Sequence, residues 1–425
     1  MKFISTRGKS PAVSCSEAIL KGLAPDGGLY VPEVLPSLNS SAVGMASSYV
    51  ELAFEVLAPF FEGDELMPYL AEICYEAFNF DVNLVKTEEN CVVLELFHGP
   101  TCAFKDFGAR FLAISMEKLL SLRGEKRTIL VATSGDTGGA VAAAFYGRKN
   151  LKVKVLYPQG RVSERQKAQL TCYDGNISSF EVKGSFDDCQ KMVKDAFMDA
   201  ALENEKLSSA NSINIGRLLP QVVYYVYACY VNKRLQLFGD NSSKSNFIIP
   251  SGNAGNCTAA YWAMLMGAPI EKIGLAVNSN TTICDYLKSG KYEKKQSVAT
   301  LANAMDVGDP SNMERLFYLF DDFVKFSNYV SALSVSDENI KKTIKNTEKR
   351  TGYIMCPHTA CAEFVREKRN LKEPSIIVST AHPAKFETIV EPLIGKKIKV
   401  PENLENLLNR PQNYKIIDTD YRLLF

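Results

Sequence analysis

One tryptophan and three histidines stand among 425 residues, and neither sign of charge is in excess, with 49 Lys+Arg against 48 Asp+Glu. A net charge of +1 leaves no whole-molecule field to draw the chain to nucleic acid or to an anionic membrane, so neither is an expected partner. Long apolar runs are missing. The longest, Val222 to Val231, covers ten residues and is rich in tyrosine, whereas a membrane span needs about 20. The opening residues, Met1-Lys2-Phe3-Ile4-Ser5-Thr6-Arg7-Gly8, hold no apolar stretch of the secretory kind, so a cytoplasmic location is expected. Neither GxxxxGK[ST] nor GxGxxG occurs, which argues against nucleoside triphosphates and dinucleotides. No GxSxG elbow supports a serine hydrolase. The eleven cysteines are odd in number, irregularly spaced and without a CxxC pair, as expected of reduced, buried thiols. Cys356-Pro357-His358-Thr359-Ala360-Cys361 resembles a metal knuckle but lacks a second ligand pair, so no metal is expected.

What is present is ordinary globular material: 46% hydrophobic and 23% charged residues, long enough for two to three domains. Residues 37–48 are Ser-rich and read as a linker or an ordered loop. Apolar residues at helical spacing follow over 49–61 and 65–78, so the first 90 residues form a small, mainly helical domain. Beyond Cys91 short β-branched runs alternate with amphipathic segments. Strands are expected at 92–96, 128–132, 152–156, 179–182, 246–249, 272–277 and 375–379. Helices are expected at 106–122, 138–146, 164–170, 187–202, 218–235, 257–266, 313–326 and 337–349. This alternation implies an α/β fold with parallel strands and helices on both faces.

In such folds ligands bind beyond the carboxyl ends of strands, where helices begin. Two junctions share that design: Thr133-Ser134-Gly135-Asp136-Thr137-Gly138-Gly139 after one strand, and Ser251-Gly252-Asn253-Ala254-Gly255-Asn256 after another. Each reads either as plain helix capping or as an anion site built from free N–H groups. The second loop carries no acidic residue and suits a phosphate. Asp136 makes the first loop better suited to a ligand donor, or to a carboxylate held by Ser134 and Thr137.

Lys105 sits between Phe104 and Asp106-Phe107 at a helix start. A cation there opposes the helix dipole by roughly 0.3–1 kcal/mol. Burial and the dipole would both lower its pKa, leaving the neutral amine that Schiff-base chemistry needs. The competing reading is a lysine that snorkels past Phe104 to solvent, partly paired with Asp106. Thr380, after the strand ending at Ser379, caps a helix or offers its hydroxyl to a ring nitrogen. Ser212 and Arg217, ahead of the helix 218–235, form a second phosphate site or a capped helix with a surface arginine.

Taken together, these segments resemble the threonine synthases, pyridoxal-phosphate enzymes of the tryptophan-synthase-β fold type (fold type II). The matching stretches are Ser5-Thr6-Arg7-Gly8, Gly22 to Leu29, Leu94 to Thr101, Phe104 to Phe107, both glycine loops, Asn303 to Val307 and Thr380 to Phe386. The resemblance is to the subfamily with an extra N-terminal helical domain. It implies a two-domain α/β body: a large cofactor domain from 91–125 and 210–425, and a small domain from 126–209 that closes over the substrate. It implies pyridoxal 5'-phosphate bound covalently by Lys105, its phosphate held by Gly252, Asn253, Ala254 and Asn256. Thr380 would meet the pyridine nitrogen and Asp136 would lie near the ring hydroxyl. Ser134 and Thr137 would face the substrate carboxylate, and Ser212 and Arg217 the substrate phosphate. Many relatives have Phe and Asp where this chain has Ala254 and Asn256, and Asn adds no negative charge to the cradle. The implied substrate is O-phospho-L-homoserine, and the chain is expected to be a monomer or homodimer. The nearest alternative is a related phospholyase that releases phosphate, ammonia and a keto acid or aldehyde. A dehydratase and a non-catalytic binding protein fit the motifs less well.

Overall fold

The alternation of β-branched runs and amphipathic segments folds into two parallel sheets with helices packed against them. The computed structural model describes residues 1–133, 135–239, 244–369 and 374–425. Its strands are β1 (Phe3–Ser5), β2 (Tyr30–Pro32), β3 (Asn83–Glu88), β4 (Cys91–Glu95), β5 (Arg127–Ala132), β6 (Leu151–Pro158), β7 (Ile177–Val182), β8 (Leu207–Ser209), β9 (Ser245–Pro250), β10 (Ile270–Val277), β11 (Ser331–Ser334), β12 (Ser375–Ser379) and β13 (Lys415–Ile417). The larger sheet has the order β11-β10-β9-β12-β4-β3, parallel except for the edge strand β3. The smaller sheet has the order β13-β7-β6-β5-β8 and is parallel throughout. The central strands β4, β9 and β12 of the larger sheet are buried along their whole length, as strands covered on both faces require.

Strand order decides which loops meet. In the larger sheet β9, β12 and β4 are neighbours, so the segments that follow them emerge side by side. These are the glycine loop at 251–256, the Thr380 segment and the stretch leading to Lys105. In the smaller sheet β5 and β8 are neighbours, which brings the Asp136 loop beside residues 210–214.

The sequence expectations need correction at several places. The Ser-rich stretch 37–48 contains the helix Ser40–Met45, whose first turn Asn39 caps by accepting from Ala42 N. Proline shortens the two early helices: α-helix proper runs over Tyr49–Leu57 and Leu70–Ala77, with 3-10 turns at Ala58–Phe61 and Met67–Tyr69. The first 90 residues also hold β1 and β2, and β3 pairs with β4 in the larger sheet. The expected helix 313–326 is two, Met313–Leu319 and Phe323–Tyr329, because the Asp322 side chain caps the second. The C-terminal strand β13 pairs with β7, so the last residues belong to the sheet built from 126–209 and not to the larger one. Leu424 seals that arrangement, buried with Leu156, Phe180, Val182 and Met192.

The N-terminal helices bury an aromatic face on the body. Tyr49 packs edge-on to Phe78 and Tyr227, and Phe78 stacks on Phe111 of the helix Lys105–Arg123. The tyrosine-rich run Val222 to Val231 lies inside the helix Ile215–Leu235, mostly buried between these layers. Among the described residues no helix is long and apolar enough to cross a membrane.

Candidate active site

The strand ends from both sheets line one cleft of about 290 Å³. Lys105, Asp136, Thr137, Ser212, Arg217, Thr380 and the whole run Ser251 to Asn256 border it. Every site residue expected from sequence is brought there except Ser134, which lies outside the described residues.

Lys105 opens the helix Lys105–Arg123 behind Phe104, which offers no side-chain cap. Backbone hydrogen bonds tie this start to the Thr380 segment: Phe104 N donates to Thr380 O at 2.8 Å, and His382 N to Cys102 O at 3.0 Å. Asp106 does not pair with the lysine. Its carboxylate accepts from Thr101 N and Oγ1 at 2.8 and 2.7 Å, which closes the snorkelling alternative. Lys105 Nζ makes no hydrogen bond or ion pair among the described residues and borders the cleft. Burial pushes its pKa down to about 8; Lys385 and Arg217 add repulsion, and Asp136 opposes them.

The loop 251–256 is shaped by close approach. A Cβ at Gly252 would stand 2.7 Å from Met305 Cα, so only glycine lets the segment 303–308 lie against it. Ala254 takes a left-handed conformation (φ 60°), which costs a non-glycine residue roughly 1 kcal/mol or more. It is also the N-cap of the helix Gly255–Leu265, and its methyl can accept nothing from the first-turn amides. Simple capping therefore does not explain this loop. Asn253 holds it in place, donating through Nδ2 to Ser212 Oγ at 2.6 Å and accepting from Ser311 N at 2.5 Å. The hydroxyls of Tyr224 and Tyr225 donate to Asn256 Oδ1 at 2.5 and 2.7 Å. In that orientation Asn256 Nδ2 is buried without a partner among the described residues. Uncapped first-turn amides and an orphaned donor in one concave loop fit the phosphate of a bound cofactor.

Asp136 is buried, and its charge is compensated by a residue to which sequence reasoning assigned no role. Lys385, fully buried after β12, stands 2.8 Å from Asp136 Oδ1 and donates to Thr101 O at 2.9 Å. That ion pair and the nearby Lys105 hold the Asp136 carboxyl well below the usual range against the opposing effect of burial. Gln166 Nε2 also donates to it at 3.2 Å, while Gln166 Oε1 accepts from Asn303 Nδ2 at 3.1 Å. Gln166 is visible in sequence only as half of a capping box with Ser163, and its reach across the cleft is not.

Arg217 is buried, not a surface arginine. Its Nη1 donates to Ala210 O at 2.5 Å, and Nε has no partner among the described residues. Desolvation pushes it down to about 10. Asn214 caps the helix that carries it, accepting from Gly216 N. Behind this loop the fully buried Arg315 donates to the carbonyls of Tyr30, Ser212 and Ile213. His358, from the cysteine-flanked segment, lines the cleft with Nε2 accepting from Ala304 N at 3.1 Å. Cys361 Sγ turns instead to Pro357 O. Among the described residues no cluster of His, Cys, Asp or Glu is placed to hold a metal ion.

The sequence matches the family profile "Pyridoxal-phosphate dependent enzyme" over residues 83–381, "Threonine synthase N terminus" over 2–78 and "Threonine synthase, C-terminal" over 358–424. It is 40% identical to the threonine synthase of Haemophilus influenzae, covering 100% of this chain and 98% of that one. The crystal structure of the pyridoxal-phosphate-bound threonine synthase of Brucella melitensis superimposes with a TM-score of 0.91 at 35% identity, over 100% and 98% of the two chains. That of the Escherichia coli threonine synthase gives 0.90 at 36%, with the same coverage. With all three profiles matched and full-length relatives of the same length and shape, the chain belongs to the threonine synthase family of pyridoxal-phosphate-dependent enzymes.

Proposed function

We propose that the chain converts O-phospho-L-homoserine and water into L-threonine and phosphate. The observation that carries this reading is the unpartnered Lys105 amine at the cleft between two strand-end loops, one of them built to receive a phosphate. Pyridoxal 5'-phosphate supplies the electron sink that stabilises carbanions next to its bound amino acid. Lys105 would hold it covalently, with its phosphate on the amides of Gly252, Ala254 and Gly255 and on Asn256 Nδ2. Asn253 would act one step back, fixing the loop through Ser212 and Ser311. The Thr380 hydroxyl would meet the ring nitrogen, and Asp136 would stand near the ring hydroxyl.

Once the substrate amine displaces it, Lys105 Nζ is the base placed to take the α-proton and then to move protons at Cβ. The C–O bond at Cγ breaks, and phosphate leaves with the electron pair. Cβ loses one proton and takes the hydroxyl of water, Cγ gains a proton and Cα regains one, and the remaining proton leaves with the phosphate. Ser212 and Arg217 would hold the departing phosphate, and Ser134 and Thr137 the substrate carboxylate. The segment 126–209, whose Gln166 touches Asn303 across the cleft, would form the small domain that closes on the substrate.

The test is to mix the pyridoxal-phosphate-loaded protein with O-phospho-L-homoserine and quantify phosphate, threonine and 2-oxobutyrate together. Equal phosphate and threonine are expected. Phosphate with keto acid and no threonine would make the protein a phospholyase and overturn the water-addition step.

A further inference from the structure

Lys385 lies behind the cleft wall, against Asp136, and makes no contact with solvent. It sits in the 3-10 turn Pro383–Phe386 after β12 and is 0% exposed. Its Nζ is 2.8 Å from Asp136 Oδ1 and 2.9 Å from Thr101 O. The Asp136 carboxylate is thus shared between Lys385 and Gln166, while Lys105 pairs with nothing among the described residues. The charged and titratable groups acting on Lys105 come from four elements. They are Asp136 at the head of the helix Asp136–Phe145, Lys385, Arg217 in the helix Ile215–Leu235, and His358 in the helix Pro357–Arg369. His358 Nε2 accepts a hydrogen bond from Ala304, so that ring stands neutral. Lys105 therefore already stands among two cations and one carboxylate, and charging it would add a third cation to the site.

We propose that Lys385 is a positioning residue for Lys105: by taking the Asp136 carboxylate into its own ion pair, it denies Lys105 a counter-ion and keeps that amine free and uncharged at the cleft. Were Asp136 paired with Lys105 instead, the amine would be held as an ammonium, which cannot attack a carbonyl. The lowering of Lys105 to about 8, with repulsion from Lys385 among its causes, agrees with this arrangement. The inference rests on Lys105 being the lysine that captures the cofactor.

Trace acetylation of the full-length chain with acetic anhydride, read on the Lys105 peptide across pH, measures the neutral fraction of that amine directly and needs no cofactor. Lys385→Gln keeps a donor for Asp136 and Thr101 but removes the charge. It is expected to raise the Lys105 midpoint by about one pH unit, whereas Asp136→Asn lowers it. The pH midpoint for covalent capture of pyridoxal 5'-phosphate, followed by absorbance, should move in the same directions. A purely structural role for Lys385 would change thermal stability and leave both midpoints in place, and that result overturns the proposal. If Lys385→Gln does not fold, Lys385→Met, which removes the charge with a side chain of similar length, is compared with the wild-type chain. A rise on removing Lys385 supports the proposal, and identical midpoints refute it. A wild-type chain that fails to capture pyridoxal 5'-phosphate would strike the reading of the site, while the acetylation comparison would still decide the Lys385–Asp136 coupling.

Discussion

A lysine at a helix start works against the dipole, and Lys105 does so with no acceptor for its ammonium. Replacing it should therefore cost the fold little. Lys105→Ala is expected to keep its thermal midpoint within a few degrees, or to raise it, while turnover falls by about 10³-fold or more. Steady-state kinetics beside a thermal melt checks both, and near-normal turnover would remove Lys105 from the chemistry. The flanking phenylalanines made this lysine conspicuous in the sequence. Lys385 has phenylalanine on one side only, with Ala384 on the other, and so did not stand out in the same way. What could not be read was its partner, because Asp136 lies in another sheet's loop far along the chain.

At the scale of elements, the loop bearing Ser212, which leads into the helix bearing Arg217, is held from behind by one side chain. Arg315 lies in the short helix Met313–Leu319 and satisfies the carbonyls of Tyr30, Ser212 and Ile213, joining β2, the loop and its own helix. Desolvation pushes its guanidinium down to about 9. Arg315→Met should leave those carbonyls without a donor and destabilise the protein by about 3 kcal/mol, with Arg315→Lys intermediate. Urea denaturation measures this, and a Met variant as stable as the parent would show that these bonds contribute nothing. Helical periodicity made the segment 313–326 legible as helix, but not its division at Asp322. Nor did it show that an arginine in an amphipathic pattern faces inward, since Arg is normally a surface residue.

For the molecule as a whole, two histidines tie stability to pH. Burial pushes His358 and His382 each from 6.5 down to about 4. Above about 6.5 both rings are neutral, folded or unfolded. As pH falls from 6.5 to 4 the unfolded chain binds protons that the folded chain refuses, so stability is lost through that window. Asp306, half-buried and bonded by Thr300 and Asn278, is pushed up to about 6 by desolvation and works the other way as it takes up a proton on folding. Asp106 is raised by burial as well, but the lowered carboxyls of Asp26 and Asp136 act with the histidines, so a net loss toward pH 4 is expected. His358→Gln, which can still accept from Ala304, should flatten that fall by about one proton. Denaturation midpoints between pH 7 and 4.5 compare the slopes, and equal slopes would mean that His358 is not buried as a neutral ring.

The α/β class, the parallel character of the strands, the two glycine loops at strand ends and the lysine between phenylalanines were legible in the linear chain. All of these are written in short windows, where side-chain period and turn chemistry act locally. That β9, β12 and β4 lie side by side, that β13 joins the smaller sheet and that Lys385 meets Asp136 emerged only on folding. Those facts depend on which buried surfaces and strand edges find each other across the chain. A charge has its effect only where burial removes the water that would screen it.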